Sequence, residues 1–299
     1  MITVLGSINI DLIAKTRRLP RPGESVSGLT FSTAAGGKGA NQALAARRAG
    51  AEVRMVGAVG KDSFADASLR FLSDAEVELS NIIRLEGPTG VAVISVGEDG
   101  ENSIIVIPGA NGELTKAEAE AAIASMQSGD ILMLQLELPS EVVEQALIAA
   151  RSKGVTTILN IAPLDQPGSN LSRLADIVVA NETEFQLLVG ETVVRAGDYE
   201  EILWRMHQRS EQTFIVTLGG DGAIAIDNGK IYRVRGLTIS PVDTVGAGDT
   251  FCGFLAAGLA ANVPFPQALR RAAVAGSLAC LKSGAQTGIP TWSEVQRYV

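Results

Sequence analysis

Histidine and cysteine are nearly missing from this chain: its 299 residues hold one His and two Cys. The lone imidazole, His207, lies beside Trp204, Arg205 and Arg209 and reads as part of a solvated helix face. With no second His and no Cys pair at ligand spacing, no zinc site is expected. A Ser-His-Asp triad has only His207 to draw on, and nothing around it supports one. Cys252 and Cys280 sit in apolar helical stretches and read as buried thiols of a reducing cytoplasm, not as a disulfide framework. No apolar run reaches the roughly 18 residues of a membrane span; the longest, Phe251 to Val263, is too short and rich in Gly and Ala. The N-terminus lacks a basic stretch and carries Asp11, so no signal peptide is expected and the location is read as cytoplasmic. Positive charge is in deficit, and a net charge of −8 argues against a nucleic-acid surface. What chemistry there is must run on carboxylates, Lys and Arg, backbone dipoles, or a hard cation held by oxygens.

What is present is a globular chain, 46% apolar and 19% charged. Strand-like runs recur at Ile2–Leu5, Val53–Val59, Val91–Val96, Ser103–Ile107, Ile131–Leu136, Thr156–Asn160, Ile177–Val179 and Phe214–Leu218. Several are continuously apolar, as expected of strands covered on both faces. Helical patterns lie between them. Lys38–Ala49 closes at Gly50, Lys116–Met126 opens on Thr115 with Glu118 at the capping-box position, Pro139–Lys153 ends at Gly154, and Thr183–Leu188 follows a strand. This alternation predicts an α/β fold with a mainly parallel sheet and helices on both faces. Two segments break the rhythm. Residues 12–35 carry Pro20, Pro22, Gly23 and Gly28 with a strand-like Glu24–Val26, and residues 88–108 hold two strand-like runs joined by Gly97-Glu98-Asp99-Gly100-Glu101. Both are read as pieces of a small antiparallel sheet that serves as a lid on a core of 1–11, 36–87 and 109–299.

Chemistry concentrates at five places. Asp243-Thr-Val-Gly-Ala-Gly-Asp249-Thr-Phe251 combines a Gly-rich turn, a carboxylate and an apolar helical run. Such a turn at a helix N-terminus attracts anions, so Asp249 is either a plain cap or a base kept beside a phosphate. Gly36-Gly37-Lys38-Gly39-Ala40-Asn41-Gln42 opens a helix and is either a ligand-binding loop or a tight turn; it is not a Walker A sequence. Asn9 and Asp11 fall on one side of an extended chain, and Glu137 ends an apolar strand, where ligands of open α/β sheets collect. Asn181-Glu182-Thr183-Glu184 reads as an N-cap or as a pair that orders water around Mg²⁺. Thr217-Leu218-Gly219-Gly220-Asp221-Gly222 admits a nucleotide or turns a hairpin into Ala223–Ile226.

Taken in this order, these motifs resemble the phosphofructokinase-B superfamily of carbohydrate kinases, and within it the ribokinase family, over essentially the whole chain. The resemblance implies a three-layer α/β/α domain with a small β-sheet lid that also forms a homodimer interface. It implies transfer of the γ-phosphate of ATP, with Mg²⁺, to the primary 5-hydroxyl of a pentose, D-ribose first. Carried over by position, Asn9, Asp11, Gly37, Lys38, Asn41 and Glu137 hold the sugar. Asn181, Glu184, Thr217, Gly219, Gly220, Gly222, Gly248 and Ala273 serve ATP, with Glu184 reaching Mg²⁺ through water. Gly246, Ala247 and Gly248 form the anion hole, and Asp249 is the base. A monovalent cation, K⁺ by preference, falls to Asp243, Val245, Ala279, Lys282, Gly284 and Gly288. Three positions depart from the usual pattern: Lys282 replaces Arg, Gly288 replaces Ser and Ala65 replaces Gly. A kinase for another sugar, deoxyribose or a nucleoside is the alternative; with aromatics at 4%, the stacking platforms a nucleoside needs are scarce. A non-catalytic sensor on the same fold is the remaining one.

Overall fold

The computed structural model describes residues 1–164, 170–190 and 198–299. Among these residues a large sheet is built from β1 (Ile2–Leu5), β4 (Val53–Gly60), β5 (Glu78–Leu85), β8 (Ile131–Leu134), β9 (Thr156–Asn160), β10 (Ile177–Asn181), β11 (Thr213–Thr217), β12 (Ala223–Asp227) and β13 (Lys230–Val234). A small sheet uses β2 (Asn9–Thr16), β3 (Gly28–Gly36), β6 (Gly90–Val96) and β7 (Asn102–Ile107). The helices are α1 (Lys38–Arg48), α2 (Phe64–Asp74), α3 (Lys116–Ala124), α4 (Ser140–Ser152), α5 (Glu182–Val189), α6 (Asp198–Ser210), α7 (Ala247–Ala260), α8 (Phe265–Ala279), α9 (Ala285–Gly288) and α10 (Trp292–Val295). None of the described helices is long and apolar enough to cross a membrane.

Strand order in the large sheet is β13-β12-β11-β10-β9-β8-β1-β4-β5. Every pairing is parallel except β11–β12 and β12–β13. Alternation of side chains divides the apolar strands between two cores. Met133, Ile158, Val179 and Ile215 pack with α1, α7 and α8 on one face. Leu132, Leu134, Leu159, Val178 and Val216 pack with α3, α4 and α6 on the other. The result is the expected three layers.

Several local expectations need correction. The small sheet is mixed: β2–β3 and β6–β7 are antiparallel, but the central pair β2–β6 is parallel. Glu24–Val26 is not a strand; the second lid strand starts at Gly28. Pro20, Pro22 and Gly23 hold the intervening segment in a turn instead. β2 already begins at Asn9, so Asn9 and Asp11 lie on a strand of the small sheet, not in the core. β8 stops at Leu134, which leaves Glu137 in the loop beyond it. Pro139 is the N-cap of α4, while Thr115 and Glu118 form the expected capping box of α3. His207 is half-buried, not a solvated residue: one ring nitrogen meets the Gln212 carbonyl at 2.7 Å, and Nε2 accepts from Gly229 N at 2.9 Å. It ties α6 to the β12–β13 turn. Both cysteines are free, Cys252 buried and Cys280 only partly so.

Candidate active site

The carboxyl ends of β1, β8, β9, β10 and β11 open on one side of the sheet, where α1 and α7 begin. Two glycines make that convergence possible. Gly37 caps α1 at φ 89°, and a Cβ there would lie 2.7 Å from the Ser7 carbonyl oxygen. Gly246 caps α7 at φ 78°, and a Cβ there would lie 2.9 Å from Ala285 Cα. Left-handed backbone and close approach together admit only glycine. Both helices can therefore aim their first-turn N–H groups at the same cleft.

The cleft is a cavity of roughly 220 Å³ lined by Lys38, Asn181, Glu184, Thr217, Gly248 and Asp249 among others. Asp249 is 7% exposed. Its Oδ2 accepts from Asn41 Nδ2 at 2.9 Å and its Oδ1 from Gln42 Nε2 at 3.0 Å. A side chain on Gly248 would meet nothing within 4 Å, so the space above the helix start is open. Lys38 lines the same cavity. Burial pulls its pKa down, but Asp249, Glu137 and Glu184 outweigh that and hold it above the usual lysine value.

The second group of predicted residues is joined to the first. Glu137 Oε2 accepts from Ser7 Oγ at 2.5 Å and from Lys38 N at 3.2 Å. Asp11 lies against the backbone of Gly36, where any Cβ would come within 2.5 Å of its Oδ1. Burial, then Glu137, then Asp249 raise its pKa to about 6. Asn9 is 3% exposed, and its Oδ1 accepts from Asn111 Nδ2 at 2.8 Å. Asn111 also grips Ile8, through N at 3.0 Å and O at 3.1 Å. Asn41 keeps its Oδ1 buried with no partner.

At the other end, Asn181 and Glu184 form a reciprocal capping box at 2.9 and 2.8 Å. The capping reading is thus correct for Asn181 Oδ1 and one Glu184 oxygen; Glu184 also lines the cavity. Burial raises the Glu184 pKa, with Lys38 pulling the other way. Residues 217–222 do turn a hairpin, since Thr217 pairs with Ala223. They also leave open space, for Cβ atoms on Gly219 and Gly220 would meet nothing within 4 Å. Ala273, by contrast, is buried on α8 and does not line the cavity.

A model of the pfkB family of carbohydrate kinases matches residues 1–292. The chain belongs to that family. It is 34% identical over 299 residues to ribokinase of Haemophilus influenzae, covering 100% of this chain and 98% of the relative. It is 36% identical to ribokinase of Lactococcus lactis, with 99% and 95% covered. The solved structure of Arabidopsis thaliana ribokinase complexed with ribose and ATP superposes with a TM-score of 0.90 at 31% identity, over 99% of this chain and 97% of that one.

The remaining predicted residues of the kinase lie behind the α7 turn. Asp243 Oδ1 accepts from Val245 N at 3.0 Å and Oδ2 from Gly284 N at 2.8 Å, which fastens the turn to the α9 loop. The carbonyl oxygens of Ala279 and Lys282 converge on Gly288: a Cβ there would lie 2.7 Å from the first and 3.5 Å from the second. The Lys282 ammonium meets Glu294 at 3.3 Å. Sequence reasoning missed Ser7, Gln42, Asn111, Gln135 and Asn160 as parts of the polar site. Gln42 stands inside the Gly36–Gln42 run, and Gln135 and Asn160 inside apolar strand-like runs, whereas nothing local marks Ser7 or Asn111. Asn111 meets Ile8 and Asn9, 103 and 102 residues away, and Asn160 meets Gln42, 118 away, and Val179, 19 away.

Proposed function

We propose that this kinase phosphorylates D-ribose at its 5-hydroxyl with ATP. The observation that carries this reading is Asp249: a buried carboxylate held by two amide donors at the start of α7, facing open space above Gly248. The relatives named ribokinase support the choice of ribose. Asn9, Asp11, Gly37, Lys38, Asn41 and Glu137 hold the sugar, and the unpartnered Asn41 Oδ1 suits a sugar hydroxyl. Asp249 takes the proton from the attacking hydroxyl as charge moves onto the phosphoryl group. The N–H groups around Gly246, Ala247 and Gly248, with the α7 dipole and Lys38, stabilise the phosphoryl oxygens. Asn181, Glu184, Thr217, Gly219, Gly220 and Gly222 flank the nucleotide.

Mg²⁺ would neutralise charge on the phosphates. No group of three or more His, Cys, Asp or Glu side chains that could hold a metal occurs among the described residues, which fits an ion held mainly by phosphate and water with Glu184 behind it. A monovalent cation would be held by Asp243, Val245 and Gly284 together with the Ala279 and Lys282 carbonyls beside Gly288. Residues 12–35 and 88–108 act as a lid that excludes water. The same sheet joins two copies. Its edge strands leave Phe31 at 68% and Ile105 at 62% exposure, and a bare apolar edge strand calls for a partner. A cytoplasmic location accords with two free thiols.

The deciding experiment is Asp249→Asn. Turnover with ATP, Mg²⁺ and ribose should fall by about 10²- to 10⁴-fold, the worth of a general base, while ribose binding by calorimetry persists. Full turnover in this variant refutes the base assignment, and a wild-type enzyme that phosphorylates other sugars but not ribose refutes the substrate.

A further inference from the structure

Beneath the Asp249 carboxylate lies a chain of buried amides whose orientations admit one reading. The Val179 backbone carbonyl can only accept, so Asn160 turns Nδ2 toward it at 3.2 Å and presents Oδ1 to Gln42 at 3.1 Å. The Asp249 carboxylate also only accepts, so Gln42 turns Nε2 toward it at 3.0 Å. Two independent acceptors thus demand the same nitrogen of Gln42. That leaves Gln42 Oε1 to accept from Gln135 Nε2 at 2.8 Å. Gln42 is 0% exposed and Gln135 1% exposed, so bulk solvent reaches neither. Asn41, the preceding residue of α1, holds the other carboxylate oxygen at 2.9 Å.

We propose that Gln42 is a positioning residue of the reaction: braced by Gln135 and Asn160, it fixes the rotation of the Asp249 carboxylate so that a lone pair faces the sugar hydroxyl. The inference rests on the reading of Asp249 as the base. A carboxylate tied at one oxygen can swing about its Cβ–Cγ bond; one tied at both cannot. Each oxygen spends one lone pair on its amide and keeps another for the hydroxyl. Gln42 is fully buried and does not line the cavity, so it acts only through Asp249. Gln135 is one step further removed and acts only through Gln42.

The test uses the full chain with Gln42→Met, Gln135→Met and the double variant, since Met keeps the unbranched shape. In Gln42→Met, kcat should fall about 10- to 100-fold, the worth of one hydrogen bond to an ionised group, with KM for ribose and for ATP within about twofold. Gln135→Met should lose about three- to tenfold in kcat, and the double variant should be no slower than Gln42→Met alone. A kcat within twofold of wild type in Gln42→Met, or losses that multiply in the double variant, overturns the proposal. If Gln42→Met does not fold, Gln135→Met decides: an unchanged kcat overturns it, and a reduced kcat at constant KM supports it. Asp249→Asn run in parallel separates the two failures. Collapse there with normal turnover in Gln42→Met sinks the positioning role alone, whereas normal turnover in Asp249→Asn sinks the base itself.

Discussion

Replacing Asp11 by Asn should stabilise the ligand-free protein while it harms sugar binding. Burial and the neighbouring Glu137 and Asp249 carboxylates raise the Asp11 pKa from 3.8 to about 6. A rise of about two units corresponds to about 3 kcal/mol of unfavourable charge burial once the group is ionised. The sign follows from linkage. Below the unfolded value of 3.8 the group is protonated in both states and costs nothing. As pH rises through about 6 the folded protein must ionise it against burial, so stability is lost across that window. Asn mimics the uncharged form. At about 2.1 cal/mol/K per residue over 299 residues, 3 kcal/mol corresponds to about 5 °C in Tm. Thermal denaturation of Asp11→Asn and wild type at pH 7.5 and at pH 4 measures this: the variant should melt about 5 °C higher at pH 7.5 and at nearly the same temperature at pH 4. Ribose affinity at pH 7.5 should drop about 10- to 100-fold, since a hydroxyl loses its charged acceptor. A variant less stable than wild type at pH 7.5, or a difference independent of pH, refutes the reasoning.

Replacing K⁺ by choline at constant ionic strength should lower kcat/KM at least tenfold, with recovery on adding K⁺; identical rates in both salts would remove the cation from the Asp243 pocket. The double variant Phe31→Glu/Ile105→Glu should shift the mass by light scattering from twice the 31.1 kDa chain to once. A wild-type protein that runs as a single chain defeats the interface at the outset. Ribose should slow amide hydrogen exchange in 12–35 and 88–108; protection confined to the core would argue against closure of the lid.

The large sheet was legible because its central strands are buried on both faces and read as unbroken apolar runs. Ile131–Leu134 and Phe214–Val216 could hardly be anything else. β5 was not legible: Glu78–Leu85 is an edge strand, half in water, and its sequence lacks both a continuous run and a clean alternation. The parallel pairing of β2 with β6 was equally hidden, since it joins segments some eighty residues apart. At the site, glycines and acids at strand ends stood out because their type and position are unusual together. The amides did not. Gln42 and Gln135 are ordinary residues in a helix and beyond a strand, and their meaning arises only from partners 93 and 207 positions away.

The strand β2 leaves the core through three residues only, Gly6, Ser7 and Ile8, and the return from β3 passes directly into Gly37. The proposed sugar ligands Asn9 and Asp11 therefore stand at the fulcrum of the small sheet. Eight residues of extended chain make a lever of about 27 Å, so a tilt of about 5° at Asn9 moves the Thr16 end by about 2 Å. An adjustment too small to see at the sugar becomes a visible displacement at the far rim.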